Sequence, residues 1–191
     1  MQAVRSGEME LHDEASKVLA EADLLHDTPA VMAAYDRLAA EITQRSAGRN
    51  PLILPVMLGG LFAAAEILKR LDFPFQLDYL HATRYCNTTS GGEIVWKVAP
   101  NLALKDRVVV VIDDILDEGH TFGAIIQALR AQAPAQLITV ALVEKIHQRR
   151  AAGVTVDLVG LKVNDRYVFG CGMDYKGYLR QFPAIYAVKG L

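Results

Sequence analysis

Asp113, Asp114, Asp117 and Glu118 place four carboxylates within six residues, and Gly119, His120 and Thr121 follow at once. Behind them runs an unbroken β-branched stretch, Val108 to Ile112. Such a run predicts a strand buried on both faces of a parallel sheet. Ahead of them, Phe122, Ile125, Ile126 and Leu129 keep helical spacing. The order is therefore strand, acidic turn, helix. The first N–H groups of a helix lack backbone partners and, with the dipole, suit a phosphate. Gly119 lets the backbone approach a ligand closely, and Thr121 adds a hydroxyl donor. The four acids would repel a bare phosphate. The conflict resolves if the ligand also carries hydroxyls or a divalent cation. A phosphorylated sugar with a free diol, bound with Mg²⁺, satisfies both halves. An acidic helix start is favoured by the dipole alone, but four acids in this order exceed what that needs.

Other reactive types sit at the ends of other apolar runs. Gly59-Gly60 follows Leu52 to Leu58 and precedes a helix over 61–70. The pair suits a second backbone approach to an anion, or tight helix–strand packing. Glu144-Lys145 closes the run Leu137 to Val143, at the strand end where open α/β sheets bind ligands. A long polar loop, 81–92, lies between strand-like stretches 75–80 and 93–98 and ends in two glycines, which fits a lid or a hairpin tip. Stretches 154–163 and 185–188 also read as strands, and Asn164-Asp165 as a turn. Thr28-Pro29 starts a helix, as cap and first helical residue, that runs to about Ser46 on Val31, Tyr35, Leu38 and Ile42. Residues 1–27 read as a frayed start with a short helix. His147, Arg149 and Arg150 are expected on a solvated helix face. Gly170-Cys171-Gly172 lacks the third glycine and the strand-to-helix context of a dinucleotide fingerprint.

Composition narrows the field. With 191 residues, 52 % of them hydrophobic, the chain can bury a sizeable core as one domain. A net charge of −2 without a basic run argues against nucleic acid as the main partner. No apolar stretch approaches a membrane span, and the N-terminus lacks a signal pattern. Cys86 and Cys171 have no metal-ligand spacing and suit a reducing cytosol. A cytoplasmic location is expected.

The run Val111-Ile112-Asp113-Asp114-Ile115-Leu116-Asp117-Glu118-Gly119-His120-Thr121 resembles the phosphoribosyl-pyrophosphate (PRPP) signature of type I phosphoribosyltransferases. The flanking sequence is most similar to the hypoxanthine-guanine branch, from about Pro51 to the C-terminus. The first fifty residues match poorly. The resemblance implies an α/β fold with a central, mostly parallel sheet flanked by helices, a small hood and a flexible lid loop. It implies one domain over 1–191, with about 1–27 as an N-terminal segment of the hood and about 83–92 as the lid. It implies Mg²⁺-dependent transfer of a phosphoribosyl group to hypoxanthine or guanine, in a homo-dimer or homo-tetramer with small-molecule substrates only.

Site roles carry over position by position. Asp113 and Asp114 would hold the ribose hydroxyls, directly or through metal water. Asp117 would lie near purine N7 as general base. Glu118, through its backbone, and Gly119, His120 and Thr121 would hold the 5′-phosphate, with the Glu118 side chain turned away. Leu58 and Gly59 occupy the pyrophosphate loop, with leucine where the family carries lysine, and Arg180 would contact the pyrophosphate. Lys145 would donate to the 6-oxo group, Tyr167 stack on the base, Val168 offer backbone groups to its edge, and Met173 lie near its other face. Asp174 would bind metal with Asp113 and Asp114. Arg84-Tyr85 stands where the lid often has Ser-Tyr. Glu118 and His120 also depart from the family's usual residues. Xanthine or another base, and a PRPP-sensing regulator on the same fold, remain the alternatives. A signalling receiver domain fits poorly, because its acid pair follows the first strand.

Overall fold

The computed structural model describes residues 2–84 and 94–191. Its centre is a five-stranded parallel sheet, ordered β3-β2-β6-β7-β8. These strands are β2 (Leu52–Pro55), β3 (Gln76–Leu77), β6 (Val108–Leu116), β7 (Gln136–Ile146) and β8 (Leu158–Asn164). The β-branched run of β6 explains its central place. Val108, Val110 and Ile112 pack into one core cluster, and Val109 and Val111 into another. Strand side chains alternate faces, so β6 feeds both layers.

Two helices cover the first face. α2 (Thr28–Ser46) buries Val31, Ala34, Tyr35, Leu38, Ala39 and Ile42, and α3 (Gly60–Leu68) adds Ala63, Ala64 and Ile67. The cap of α2 is Asp27, whose side chain accepts from Ala30 N–H at 2.9 Å. Thr28 is thus already helical, because the carboxylate one residue earlier takes the cap position. On the second face lie α4 (His120–Arg130) and an antiparallel hairpin of β4 (His81–Arg84) and β5 (Ile94–Val98). Ile125 of α4 is completely buried in this layer. Ile125→Ala is expected to destabilise the fold by about 2–5 kcal/mol, measured as a fall in the urea midpoint at unchanged slope.

A small antiparallel sheet joins the chain's two ends. β1 (Asp23–His26) pairs with β10 (Ile185–Ala187), which pairs with β9 (Val168–Phe169). The N-terminal segment is a 20-residue helix, α1 (Gln2–Glu21), rather than a short one. Ala15, with Val18 and Leu19 beside it, packs against Phe169, Tyr175, Leu179 and Val188. That tertiary face holds the helix where its polar sequence gave little local signal.

Three expected boundaries move. β6 does not stop at Ile112, because its ladder with β7 continues to Leu116 opposite Glu144. The acid pair therefore lies in the strand rather than in a turn. β2 ends at Pro55, and a cis peptide links Met57 to Leu58. Of the expected strand 154–163 only 158–163 joins the sheet, and β8 runs one residue further, to Asn164; Val154 instead covers the start of α4. Most of the expected lid, Tyr85 and Cys86 included, lies outside the described residues.

Candidate active site

Gly119 opens α4 at φ +80°, in the left-handed region that favours glycine. A Cβ there would lie 2.9 Å from Val154 Cγ1. Among the described residues, no side chain caps this helix start. A cavity of about 300 Å³ stands in front of it, lined by Asp113, Ile115, Asp117 to Thr121 and Phe122. The structure thus brings Asp113, Asp117 and Glu118 together with the phosphate-loop residues singled out above, and adds Ile115, while Asp114 lies outside this lining. Glu118 does not turn clear of the cavity. Its carboxylate meets Arg149 Nε at 3.3 Å and stands 3.7 Å from His120 Nε2.

Asp114 leans on the second glycine loop. A Cβ added to Gly59 would fall 1.8 Å from Asp114 Oδ2. On the other side, Gly172, at φ +105°, leaves room for Gly59 carbonyl, which a Cβ would meet at 2.2 Å. Gly59 is therefore required by packing, whatever it binds. Leu58 beside it is 56 % exposed. Burial raises both acids of the pair. Asp113 is pushed well above the usual carboxylate range, first by desolvation and then by the neighbouring Asp114. Desolvation also raises Asp114, against hydrogen bonding from Asp113 and the nearby Arg180 charge. Arg180 donates to Gly172 carbonyl at 2.5 Å and pairs with Asp174 at 2.5 Å. Asp174 also accepts from Gly177 N–H at 2.6 Å.

Asp117 has both oxygens engaged. Lys145 Nζ donates to Oδ2 at 2.7 Å, and His147 Nε2 lies 2.8 Å from Oδ1. Burial alone would raise the Asp117 carboxyl, but these two partners together hold it below its ordinary value. Lys145 sits at the end of β7 as the sequence placed it. The expected helix at His147, Arg149 and Arg150 is absent. The chain leaves β7 as a bend, Arg149 clamps Asp165, and Arg150 donates to Glu144 and to Lys145 carbonyl. Lys145 lies in β7 and His147 in the bend just past its end at Ile146, and both side chains reach Asp117.

The base-binding candidates lie along 167–175. Tyr167 is half exposed and meets Tyr175 edge-on, centroids 5.4 Å apart. Val168 belongs to β9 and is buried. Met173 is only 3 % exposed and packs in the main core, so its side chain supports this segment from below. Tyr175 is held in turn by Glu14 of α1, which accepts from its hydroxyl at 2.6 Å and from Lys176. Glu14 carried no local signal, since its partner is 161 residues away. Arg84 ends β4.

The family described as "Phosphoribosyl transferase domain" matches residues 21–176. A hypoxanthine-guanine-xanthine phosphoribosyltransferase of Tritrichomonas foetus is 32 % identical over 80 % of this chain and 83 % of that protein. A hypoxanthine-guanine phosphoribosyltransferase of Bacillus subtilis strain 168 is 31 % identical over 80 % of this chain and 84 % of its own. Among solved structures, a hypoxanthine-guanine-xanthine phosphoribosyltransferase superposes with a TM-score of 0.80 at 28 % identity, covering 87 % of this chain and 96 % of that one. Among the described residues, no helix is long and apolar enough to cross a membrane.

Proposed function

This chain belongs to the phosphoribosyl transferase family, and we propose that it transfers the 5-phosphoribosyl group of PRPP to hypoxanthine or guanine. The products are IMP or GMP and pyrophosphate. It is a purine-salvage enzyme that resembles the hypoxanthine-guanine phosphoribosyltransferases. We read 1–191 as one domain with α1 and β1 as part of its hood, working in the cytosol as a homo-dimer or homo-tetramer. The observation that carries the reading is the pair Lys145–Asp117, 2.7 Å apart beside the helix-start cavity.

The reaction forms the purine N9–C1′ bond and breaks the bond from C1′ to the pyrophosphate oxygen. The proton on purine N7 passes to Asp117 Oδ2. Charge develops positive on the sugar and negative on the leaving group, and catalysis must meet both where they appear. Gly119, His120 and Thr121, at the start of α4, hold the 5′-phosphate, with Glu118 joining through its backbone. Asp113 and Asp114 take the ribose hydroxyls. Gly59, beside Leu58, presents backbone to the pyrophosphate, and Arg180 supplies the cation there. Tyr167 stacks on the base and Val168 meets its edge.

Asp113, Asp114 and Asp174 would hold Mg²⁺: they offer only oxygen, which a hard cation requires, and burial disfavours the charged form of both acids of the pair. When bound, the ion supplies Lewis-acid neutralisation of the leaving pyrophosphate.

An ammonium has donors only, so Lys145 selects a 6-oxo over a 6-amino base. On binding, the 6-oxo group competes with Asp117 for Lys145 and frees Oδ2 for the N7 proton. Lys145→Ala should therefore raise KM for hypoxanthine and reduce its advantage over adenine, measured as the ratio of kcat/KM values. An unchanged ratio would remove Lys145 from the base site. The direct test of the function is an ultraviolet assay with PRPP, Mg²⁺ and each of hypoxanthine, guanine, xanthine and adenine. Turnover of hypoxanthine or guanine, abolished by EDTA, is expected. PRPP binding without turnover of any base would overturn the proposal in favour of a PRPP sensor.

A further inference from the structure

Reading Asp117 as the base leaves one buried side chain without a role. The His147 side chain is 4 % exposed, in a bend just past β7. Its Nδ1 accepts the backbone N–H of Arg149 at 3.0 Å. The ring proton is therefore on Nε2, which faces Asp117 Oδ1 at 2.8 Å. Both ring nitrogens are thus engaged, and the ring cannot turn without breaking two hydrogen bonds.

Resting on that reading of Asp117, we infer that His147 is a positioning residue that pins Oδ1 and keeps Oδ2 aimed at the purine. The need arises from Lys145. Its flexible stem holds Oδ2 in the free enzyme, and the 6-oxo group draws it away as the base binds. A carboxylate left with no fixed partner would rotate about its own chain. His147 is the rigid donor that remains. Partners that orient metal-bound ligands from behind carry about tenfold to a hundredfold of activity, and the same order is expected for a partner that orients a base.

The surroundings support an orienting role over a metal site. Ligand atoms of Asp117, His147 and Asp165 lie within 4.8 Å of one another. Each acid already has a cationic partner. Lys145 meets Asp117, and Arg149 grips Asp165 through two nitrogens while also reaching Glu118. The charged groups facing this pair are thus Lys145 from β7, Arg149 from the bend, Asp165 from the end of β8 and Glu118 from the entry to α4. The donor from His147 is also among the contacts that hold the Asp117 carboxyl low.

The test compares His147→Leu, His147→Gln, Asp117→Asn and the double variant His147→Leu/Asp117→Asn, with PRPP, Mg²⁺ and hypoxanthine. His147→Leu keeps volume and removes the donor; kcat should fall about 10–100-fold, with KM for PRPP little changed. The acid limb of kcat/KM should move to higher pH, because Asp117 loses a donor. His147→Gln restores an N–H and should recover most of both. In the Asp117→Asn background, His147→Leu should have no further effect. Wild-type turnover in His147→Leu, or the same loss in both backgrounds, overturns the inference. Full turnover by Asp117→Asn alone would instead remove the base assignment, and the two failures are thereby distinct. Imidazole ¹⁵N spectra of the unmodified protein give a check that needs no variant to fold. A proton on Nε2 at neutral pH supports the inference, and a proton on Nδ1 overturns it.

Discussion

Asp117→Asn is expected to cut turnover by about 10²–10⁴-fold, the usual worth of a positioned general base. PRPP affinity should change far less. An amide keeps the shape of the side chain and can still accept from Lys145 or His147 through its oxygen. It cannot accept the N7 proton. It also presents an N–H₂ to one of two donors, so the local network loosens and the unfolding midpoint should fall somewhat. The linkage has a definite sign. The Asp117 carboxyl is held below its ordinary value in the folded chain. Its contribution to stability is present above the unfolded value and is lost as pH falls through the folded one. The midpoint difference between the two proteins should therefore shrink in acid. Pre-steady-state measurement of bound substrate separates the outcomes. Normal turnover of bound substrate with collapsed PRPP affinity would make Asp117 a binding residue and sink its role as base.

Asp113→Asn should give the opposite pairing of effects: a more stable protein that turns over at least a hundredfold more slowly. The Asp113 carboxyl is buried beside Asp114 and pushed well above its ordinary range. A group raised in the folded state contributes stability below its unfolded value and loses it as pH rises through the folded one. Near neutrality the wild-type chain therefore carries the penalty of folding against the ionised form of this acid, and asparagine removes that penalty while its oxygen can still accept the Asp114 N–H. A gain of about 1 kcal/mol would raise Tm by about 2–4 °C for a chain of this size. The advantage should vanish toward low pH, where the wild-type acid is protonated. Differential scanning calorimetry across pH reads this directly. A variant less stable than wild type at neutral pH would show that the pair is already well compensated. Activity and stability trade against each other at such sites in many enzymes.

The acidic motif at the start of α4 was legible because its signals are local. The β-branched run of β6, the acids after it and Gly119 are contiguous, and the period of α2 is visible in Val31, Tyr35, Leu38 and Ile42. Lys145 could be placed because the apolar run before it is a buried strand. What was missed depends on partners far along the chain. Asp113 and Asp114 continue β6 because the β7 ladder runs beside them, although strand interiors seldom favour aspartate. In sequence, His147, Arg149 and Arg150 suggest a solvated helix face, whereas the chain there is a bend. The contact of His147 is with Asp117, thirty residues earlier. The length of α1 depends on a surface that 169–188 supplies.

The meeting of Gly59, Asp114 and Gly172 has a bearing on how the molecule comes to be active. Three backbone segments separated by more than fifty residues each converge on a spot too small for one methyl group. None of them can be preformed by its neighbours in sequence, and contacts of such separation are slow to close. The leaving-group site proposed above therefore needs all three segments in place at once.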